Sequence, residues 1–213
     1  MPLPASHRKI QYRQLGPRDL RSWARLIAGV FSRDEPLAVA AGQSREELEN
    51  MLLTIGPSAL GENCSYGAWD GTELVGAALA TAFTWAPPDG AEALSPSYPP
   101  IGAIIGELEA AFETQPRERL QRCLHIHMLA VSQQFRSYRI AEKLVQNSID
   151  VAATRGFQEA ITDATNPASQ QVFRKAGFAQ LTEVRYADFD FDGNHIFDDI
   201  ENAAEIALMW RAI

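Results

Sequence analysis

The sequence predicts an α/β fold in which one mixed β-sheet is covered by helices on both faces. Strand-like segments interleave with segments of helical periodicity along all 213 residues. A hairpin signal at Asp70-Gly71 predicts antiparallel neighbours, and a strand–helix–strand order over 124–164 predicts a parallel crossover. Because no repeat or linker divides the chain, we expect residues 1–213 to form a single domain with about six to seven strands.

The first half of the chain begins with an alternating strand. Gly16-Pro17 then opens a helix whose apolar positions recur at helical spacing, and Ser44 with Glu47 forms a capping box for a second, short helix. The predicted elements are a strand at 9–15, a helix ending before Pro36, a helix from Ser44, strands at 64–69 and 73–83, a long loop at 85–100 and a helix at 101–112.

The second half alternates strands and helices. Asn166 is a typical helix N-cap, and Gly177 is a typical residue after a helix end. The predicted elements are a strand at 124–131, a helix at 140–154, a strand at 159–164, a helix from Pro167 to Gly177, and strands at 181–191 and 205–211.

Composition is typical of a globular protein, with 46% hydrophobic and 22% charged residues. The net charge of −8 argues against a nucleic-acid partner, and no apolar stretch has the roughly 20 residues of a membrane span. Two cysteines and an amino terminus without the apolar core of a secretory signal favour a cytoplasmic location. We expect a small-molecule partner and a monomer or homodimer.

Residues 125–145 carry the clearest functional pattern, because an apolar strand runs through a short polar turn into an amphipathic helix. Free backbone N–H groups at a helix N-terminus can hold a phosphate. His125 and His127, two residues apart on the strand, are expected to point to the same face. The pattern indicates an enzyme that uses a phosphate-bearing cofactor.

Residues 136–141 read Arg-Ser-Tyr-Arg-Ile-Ala, and residues 166–178 form a second segment that ends in Gly-Phe. Together these motifs resemble the GNAT superfamily of N-acetyltransferases over nearly the whole chain. The resemblance implies a GNAT fold, acetyl-CoA as acetyl donor and an oxyanion donor on the strand before the motif. The implied cofactor-binding residues are Leu129, Ala130, Val131, Arg136, Ser137, Tyr138, Arg139, Ile140, Ala141, Asn166, Ser169 and Phe173.

Two further motifs resemble arylalkylamine N-acetyltransferases. The Asp-Glu-Pro at 34–36 is similar to the insect-type enzymes, which implies that Glu35 is the catalytic base and that Thr165 and Ser169 assist. His125 and His127 are similar to the paired histidines of the vertebrate serotonin N-acetyltransferase, which help to remove the amine proton. We therefore expect an arylalkylamine or polyamine-like substrate held by Glu35, Trp85 and Tyr98.

The sequence departs from the family pattern at two positions. Arg139 replaces the central Gly of the motif; a left-handed backbone there costs roughly 1–2 kcal/mol, whereas a helical one costs nothing. Phe173 replaces the Tyr that many members use to reprotonate the thiolate. These departures leave open a non-catalytic acyl-CoA-binding module, and a protein or peptide N-acetyltransferase is a further alternative.

Each candidate residue also has a purely structural interpretation. Glu35 can be a solvated loop acid before Pro36, although its place near a helix C-terminus, where the helix dipole gives a carboxylate no stability, points to function. The histidines can be satisfied core residues, Thr165 and Ser169 can serve only as helix caps, and the loop aromatics can simply pack. Aspartates between 188 and 199 have the spacing of a calcium loop, but their strand-like context predicts a polar hairpin and no metal.

Overall fold

The computed structural model describes residues 9–213, and within them seven strands form one sheet in the order β1-β2-β3-β4-β5-β7-β6. The amino-terminal stretch used for the expected location lies outside the described residues. The strands are β1 (Ile10–Gln14), β2 (Tyr66–Asp70), β3 (Glu73–Ala82), β4 (Cys123–Val131), β5 (Glu159–Ala164), β6 (Ala179–Arg185) and β7 (Glu205–Ala212).

The helices connect these strands and cover the sheet. They are α1 (Leu20–Asp34), α2 (Pro36–Ala40), α3 (Arg45–Gly61), α4 (Pro99–Glu113), α5 (Arg117–Leu120), α6 (Ile140–Thr154) and α7 (Pro167–Lys175). Short 3₁₀ turns lie at Pro17–Asp19, Glu92–Leu94, Gln133–Tyr138 and Tyr186–Asp188. None of the helices in the described part of the chain combines the length and apolar character needed to cross a bilayer.

Only β4 and β5 pair in parallel, and every other neighbouring pair in this sheet is antiparallel. A right-handed crossover through α6 is the usual way to join adjacent parallel strands. This arrangement confirms the predicted mixed sheet with helices on both faces.

Alternation along the strands divides the core between the two faces. Ala77 and Leu79 of β3 pack with α1 and α3, whereas Ala78 packs with α6. Ile161 of β5 packs with α4, and its neighbour Ala160 packs on the face that carries α7. The helices α1, α3 and α4 therefore cover one face of the sheet, and α6 and α7 cover the other.

Most predicted elements form at the expected positions, and α6 and β5 have the predicted bounds. The capping boxes of Ser44 with Glu47 and of Asn166 with Ser169 are both present. Phe191 and Asn194 form a β-bridge around a tight turn, which confirms the polar hairpin.

Three expectations about the elements were wrong. The strand predicted at 181–191 ends at Arg185, because a 3₁₀ turn begins at Tyr186. The helix after Ser44 is not short but runs for 17 residues. The short helices α2 and α5 were missed, since five and four residues are too few to show a helical period.

Candidate active site

The sheet opens between its two parallel strands. β4 and β5 pair only where residues 123–125 face 159–161, although β4 continues to Val131 and β5 to Ala164. Ser132 N–H donates to Val75 O of β3. Because hydrogen-bonded pairs alternate along an antiparallel ladder, Ala130 also bonds to β3, whereas the amides of Leu129 and Val131 point the other way, toward the opening. Two of the three predicted cofactor-binding strand residues thus direct their backbone N–H groups into a gap in the sheet.

A cavity of about 1120 Å³ occupies this opening. Helices from both faces of the sheet contribute to its lining, so the cavity passes through the gap. Lining residues on the α6 and α7 side include Arg139, Glu142, Asn166, Ser169 and Lys175. Lining residues on the α1, α2 and α4 side include Glu35, Trp85, Tyr98, Glu109 and His127. The structure thus brings the residues predicted for the amine and most of those predicted for the cofactor to one cavity. Four predicted cofactor-binding residues are not part of its described lining: Ala130, Ser137, Tyr138 and Ile140.

The cofactor motif forms a 3₁₀ turn at Gln133–Tyr138, followed directly by α6. Arg139 is the N-cap of α6, but its side chain makes no capping hydrogen bond. The first backbone N–H groups of α6 are therefore not capped by that residue, and they lie at the positive end of a 15-residue helix. This geometry suits an anionic group such as a diphosphate.

Arg139 adopts the left-handed conformation, with φ 57° and ψ 27°. The alternative in which this residue is helical is wrong, so an arginine here carries the strain that a glycine avoids. Its guanidinium bonds to Glu142 at 2.8 Å, and Lys175 Nζ reaches the other carboxylate oxygen at 3.0 Å. Two cations thus lie beside the first turn of α6.

Arg136, the first residue of the motif, is directed away from that helix terminus. Its Nη2 pairs with Asp34 at the end of α1, and its Nε donates to Val131 O at 3.4 Å. Arg33 and then Arg136 lower the pKa of Asp34 below its ordinary value. The side chain therefore fastens the cofactor loop to α1.

His125 and His127 stack with their ring centroids 3.8 Å apart, which confirms that they share a face. The register between β3 and β4 shifts at Leu79 and Ala80, and this β-bulge leaves His127 without an opposing residue. The bulge places His127 and Met128 on the same side of the sheet, so the imidazole lines the cavity.

The two histidines have opposite electrostatic environments. Burial disfavours charge on His125, but Asp163 at 2.9 Å and Glu109 at 3.4 Å together raise its pKa above the ordinary value. Burial, and then the charge of His125, lower the pKa of His127 well below the ordinary value. The carboxylates thus favour a charged His125 beside a neutral His127.

Thr81 holds the ring of His127 in place. Its hydroxyl lies 2.8 Å from Nε2 of His127 and 3.0 Å from Ala82 O. Because a hydroxyl can either donate to an imidazole nitrogen or accept from it, this contact fits both neutral tautomers of His127.

Glu35 both ends α1 and caps α2. Its Oε2 accepts a hydrogen bond from Ala38 N–H at 2.6 Å, so the expectation that Glu35 gains nothing from its position was wrong. Its Oε1 is buried, and the side chain of Thr165 lies beside the carboxylate. Burial raises the pKa of this carboxyl, and the Ala38 N–H opposes the rise.

Thr165 and Ser169 flank the start of α7. Tyr186 Oη donates to the Thr165 carbonyl at 2.6 Å, and the Thr165 side chain lies beside the Glu35 carboxylate on the cavity wall. Ser169 Oγ donates to Asn166 O at 2.9 Å, and Asn166 Oδ1 accepts from Ser169 N–H. Ser169 thus serves as a helix-capping residue, and its catalytic role stays a prediction.

Aromatic rings border the amine side of the cavity. Trp85 packs edge-on against His127 with centroids 5.7 Å apart, and Phe83 lies 5.8 Å from His125. Phe173 is buried against Phe178 and lines the same cavity, but it supplies no hydroxyl. The proton for a leaving thiolate must therefore come from another group.

Sequence reasoning missed Thr81, Glu109 and Asp163. Asp163 is a charged residue in a largely buried strand, and Glu109 follows a stripe formed by Ile101, Ile104 and Leu108 on α4. A charged residue in such a position needs a partner, and that was the available signal. The partner, His125, lies on a third element, which the local pattern does not identify.

Residues 33–178 match the acetyltransferase (GNAT) family, and the chain belongs to this family. The matched range contains the cofactor motif, both histidines and Glu35. The family and the observed fold agree with the resemblance of the two sequence motifs.

Three known proteins show the breadth of the similarity. The chain is 38% identical over 82 residues to N-alpha-acetyltransferase 30 of Schizosaccharomyces pombe, a match that covers 38% of the chain and about half (51%) of that relative. Arylalkylamine N-acetyltransferase 2 from Aedes aegypti superposes with a TM-score of 0.76 at 26% identity, covering 96% and 99% of the two chains. The C-terminal condensation domain of Ebony, solved with beta-alanyl-dopamine, superposes with a TM-score of 0.85 at 16% sequence identity. That match covers 97% of this chain and 100% of the domain.

Proposed function

We propose that the protein transfers the acetyl group of acetyl-CoA to a small primary amine by direct attack. The observation that carries this proposal is the continuous cavity through the sheet. Its α6 and α7 side offers uncapped helix amides with Arg139 and Lys175, and its other side offers acids and aromatic rings. A cationic amine and an anionic thioester thus meet complementary charges from opposite faces.

Glu35 is the base in this proposal. A primary amine titrates near 10.4, so at pH 7 only about one molecule in a few thousand is nucleophilic. Glu35 presents a buried carboxyl group to the cavity beside Thr165, and burial raises its pKa above the ordinary value of a carboxyl. His127 is neutral, because burial and charged His125, with its ring centroid 3.8 Å away, disfavour a second proton on it. Its unprotonated ring nitrogen accepts a hydrogen bond from the amine and orients it.

The strand gap supplies the electrophilic assistance. Nitrogen attacks the carbonyl carbon and forms the C–N bond, while the amine proton passes to Glu35. The amides of Leu129 and Val131 face the gap and stabilise the developing oxyanion. The C–S bond then breaks, and the thiolate of CoA takes a proton from solvent because Phe173 has no hydroxyl.

The test follows CoA release with a thiol reagent over a panel of amines. Glu35→Gln keeps a side-chain oxygen for the Ala38 N–H but removes the base, so we expect kcat to fall by about 10²–10⁴. The loss should be largest at low pH, where free amine is scarcest. Melting temperature checks that α2 is intact, and a Glu35→Gln enzyme of unchanged rate would remove Glu35 from the mechanism.

A second candidate function is acetylation of protein or peptide amino groups. The 38% sequence identity to N-alpha-acetyltransferase 30 over 82 residues favours this alternative. Against it, the Pro-rich loop and α3 both contribute to the cavity lining, through Pro87, Ala91, Met51 and Ile55 among others, which restricts access for an extended backbone. Faster turnover of peptides than of free amines would establish this alternative, and CoA binding without any turnover would establish a non-catalytic module.

A further inference from the structure

A second acidic centre lies in the same cavity, apart from Glu35. Glu109 from α4 and Asp163 from β5 converge on opposite nitrogens of His125. The three side chains are only 12%, 7% and 5% exposed. Such a buried cluster of ionisable groups is costly, so its incompletely satisfied atoms indicate what is missing.

Two carboxylate oxygens of this cluster are incompletely satisfied. Asp163 Oδ2 bonds to His125, but Asp163 Oδ1 has only the neighbouring Glu109 carboxyl group beside it, and Glu109 Oε1 has a long 3.4 Å contact with His125 Nδ1. Both residues line the cavity. The cluster therefore presents two buried acceptor atoms beside the space that a substrate would occupy.

The charge of the cluster also favours a cation. Two carboxyl groups face one imidazole, and burial with Asp163 raises the pKa of Glu109 to about 8. An ammonium group at this position takes the place of the proton that Glu109 otherwise holds, and it balances the second carboxylate. The arginine and lysine residues in the described cavity lining are Arg136, Arg139 and Lys175, all on the cofactor loop, α6 or α7. On the α1 to α4 side the lining adds further acids, including Glu113 one turn after Glu109.

The cluster lies two residues along the chain from the proposed reaction centre. Asp163 is on β5, and Thr165 directly follows the end of that strand and lies beside Glu35. Two residues span at most about 7 Å, roughly the length of an extended chain of four or five methylene groups. Phe83 borders this path, in contact with both His125 and Phe112.

We propose that Glu109 and Asp163 form a subsite for the second cationic group of an α,ω-diamine whose first amine is acetylated at Glu35. This inference rests on the proposed function and deepens it. The distal ammonium donates hydrogen bonds to Glu109 Oε1 and Asp163 Oδ1, and Phe83 packs against the methylene chain. A monoamine of equal length leaves both oxygens incompletely satisfied.

The experiment compares kcat/KM for 1,5-diaminopentane with that for hexan-1-amine, which replaces the distal ammonium by a methyl group. We expect the wild-type enzyme to prefer the diamine by at least about tenfold, mainly through KM. Glu109→Gln should lower the diamine value at least about tenfold more than the monoamine value. Glu107→Gln, on the same helix but outside the cavity lining, should leave both values unchanged.

Three outcomes would overturn the subsite. One is equal use of the two substrates by the wild-type enzyme, and a second is an equal loss for both in Glu109→Gln. The third is that Zn²⁺, rather than the diamine, raises the melting temperature in a manner abolished by Glu109→Gln. That outcome would make the cluster a metal site.

The experiment distinguishes failure of the proposed acetyltransferase function from failure of the diamine subsite. Absence of turnover with every amine, together with CoA binding, removes the proposed function. Turnover of monoamines without a diamine preference removes only the subsite. Asp163→Asn is a second variant, and if it does not fold, the wild-type preference and Glu109→Gln still decide the question.

Discussion

At the scale of single residues, the two neighbouring histidines show how residues on a strand and a helix can favour the charged form of one imidazole and the neutral form of the next. His125 is held between Asp163 and Glu109, whereas His127 contacts no carboxylate and lies beside a threonine hydroxyl, Trp85 and its charged neighbour. The ring that touches carboxylates takes the proton, and the ring that lines the cavity stays neutral. Identical residues two positions apart therefore have different roles.

Glu109 makes the stability of the protein depend on pH. Burial, and then Asp163, raise the pKa of Glu109 from 4.5 to about 8, with His125 opposing and Glu113 adding to the rise. The folded state thus holds a proton that the unfolded state releases, so stability declines as pH rises from 4.5 to about 8. Glu109→Gln lacks this decline. We expect its unfolding free energy relative to wild type to increase between pH 5 and pH 9 in urea titrations.

Glu107→Gln is the matched control for that measurement, because Glu107 is exposed on the same helix. Its difference from wild type should be constant with pH. A constant difference for Glu109→Gln as well would show that Glu109 is ionised throughout this range.

Arg139 offers a direct measurement of backbone strain at the cofactor loop. Its φ of 57° is left-handed, and an alanine there keeps the Cβ that a glycine lacks. Both substitutions remove the ion pair with Glu142, so their comparison isolates the backbone. We expect Arg139→Gly to be more stable than Arg139→Ala by about 1 kcal/mol in chemical denaturation. Equal stabilities would mean that the loop relaxes to another conformation.

At the scale of elements, the site depends on helix termini. The uncapped start of α6 faces the cavity, α7 starts with a reciprocal cap, and α2 starts on Glu35. The long loop before α4 is fastened to the start of α3 in the same way. Ser97 donates to Glu47 at 3.1 Å, and Gln43 donates to Ser95 at 2.7 Å.

The cap of α7 can be tested by removing or exchanging the side-chain amide of Asn166. Asn166→Ala removes the oxygen that accepts from Ser169 N–H, and we expect it to cost about 1 kcal/mol of stability. Asn166→Asp keeps an acceptor and should stay within about 0.5 kcal/mol of wild type. Equal destabilisation by both variants in urea titrations would argue against the cap.

The elements that sequence reasoning predicted are those with a local cause. Residues 140–154 show a helical apolar stripe, and Ser44 with Glu47 form a cap from neighbouring atoms, so both are visible in the chain itself. The bulge at His127 and the cluster at His125 were not predicted. They arise where β3, β4, β5 and α4 meet, and no local pattern encodes such a meeting.

At the scale of the whole molecule, the gap between β4 and β5 opens the middle of the sheet. Beyond residues 125 and 161 the two strands make no ladder hydrogen bonds to each other, and near that point Thr162 Oγ1 donates to Ile126 O at 2.9 Å. A ligand whose groups replace those bonds should hold the two halves of the sheet together. Binding of acetyl-CoA is therefore expected to stabilise the entire fold.

CoA should raise the melting temperature in a concentration-dependent manner. At a CoA concentration 100 times its Kd the expected gain is about 2.7 kcal/mol, because only the folded state binds. Differential scanning fluorimetry measures the shift, and adenosine, which lacks the diphosphate, is the control. A protein whose melting temperature is unaffected by millimolar CoA would not contain the phosphate site that the start of α6 suggests.

The passage through the sheet also has a consequence for inhibition. Because donor and acceptor enter a single uninterrupted space from opposite faces, one molecule can fill it from end to end. A conjugate that joins an amine to the sulfur of CoA by an acetyl bridge would bring both recognition elements at once, and the second contact would form at a high effective concentration. Its affinity should greatly exceed that of either half, and cutting the bridge should abolish the advantage.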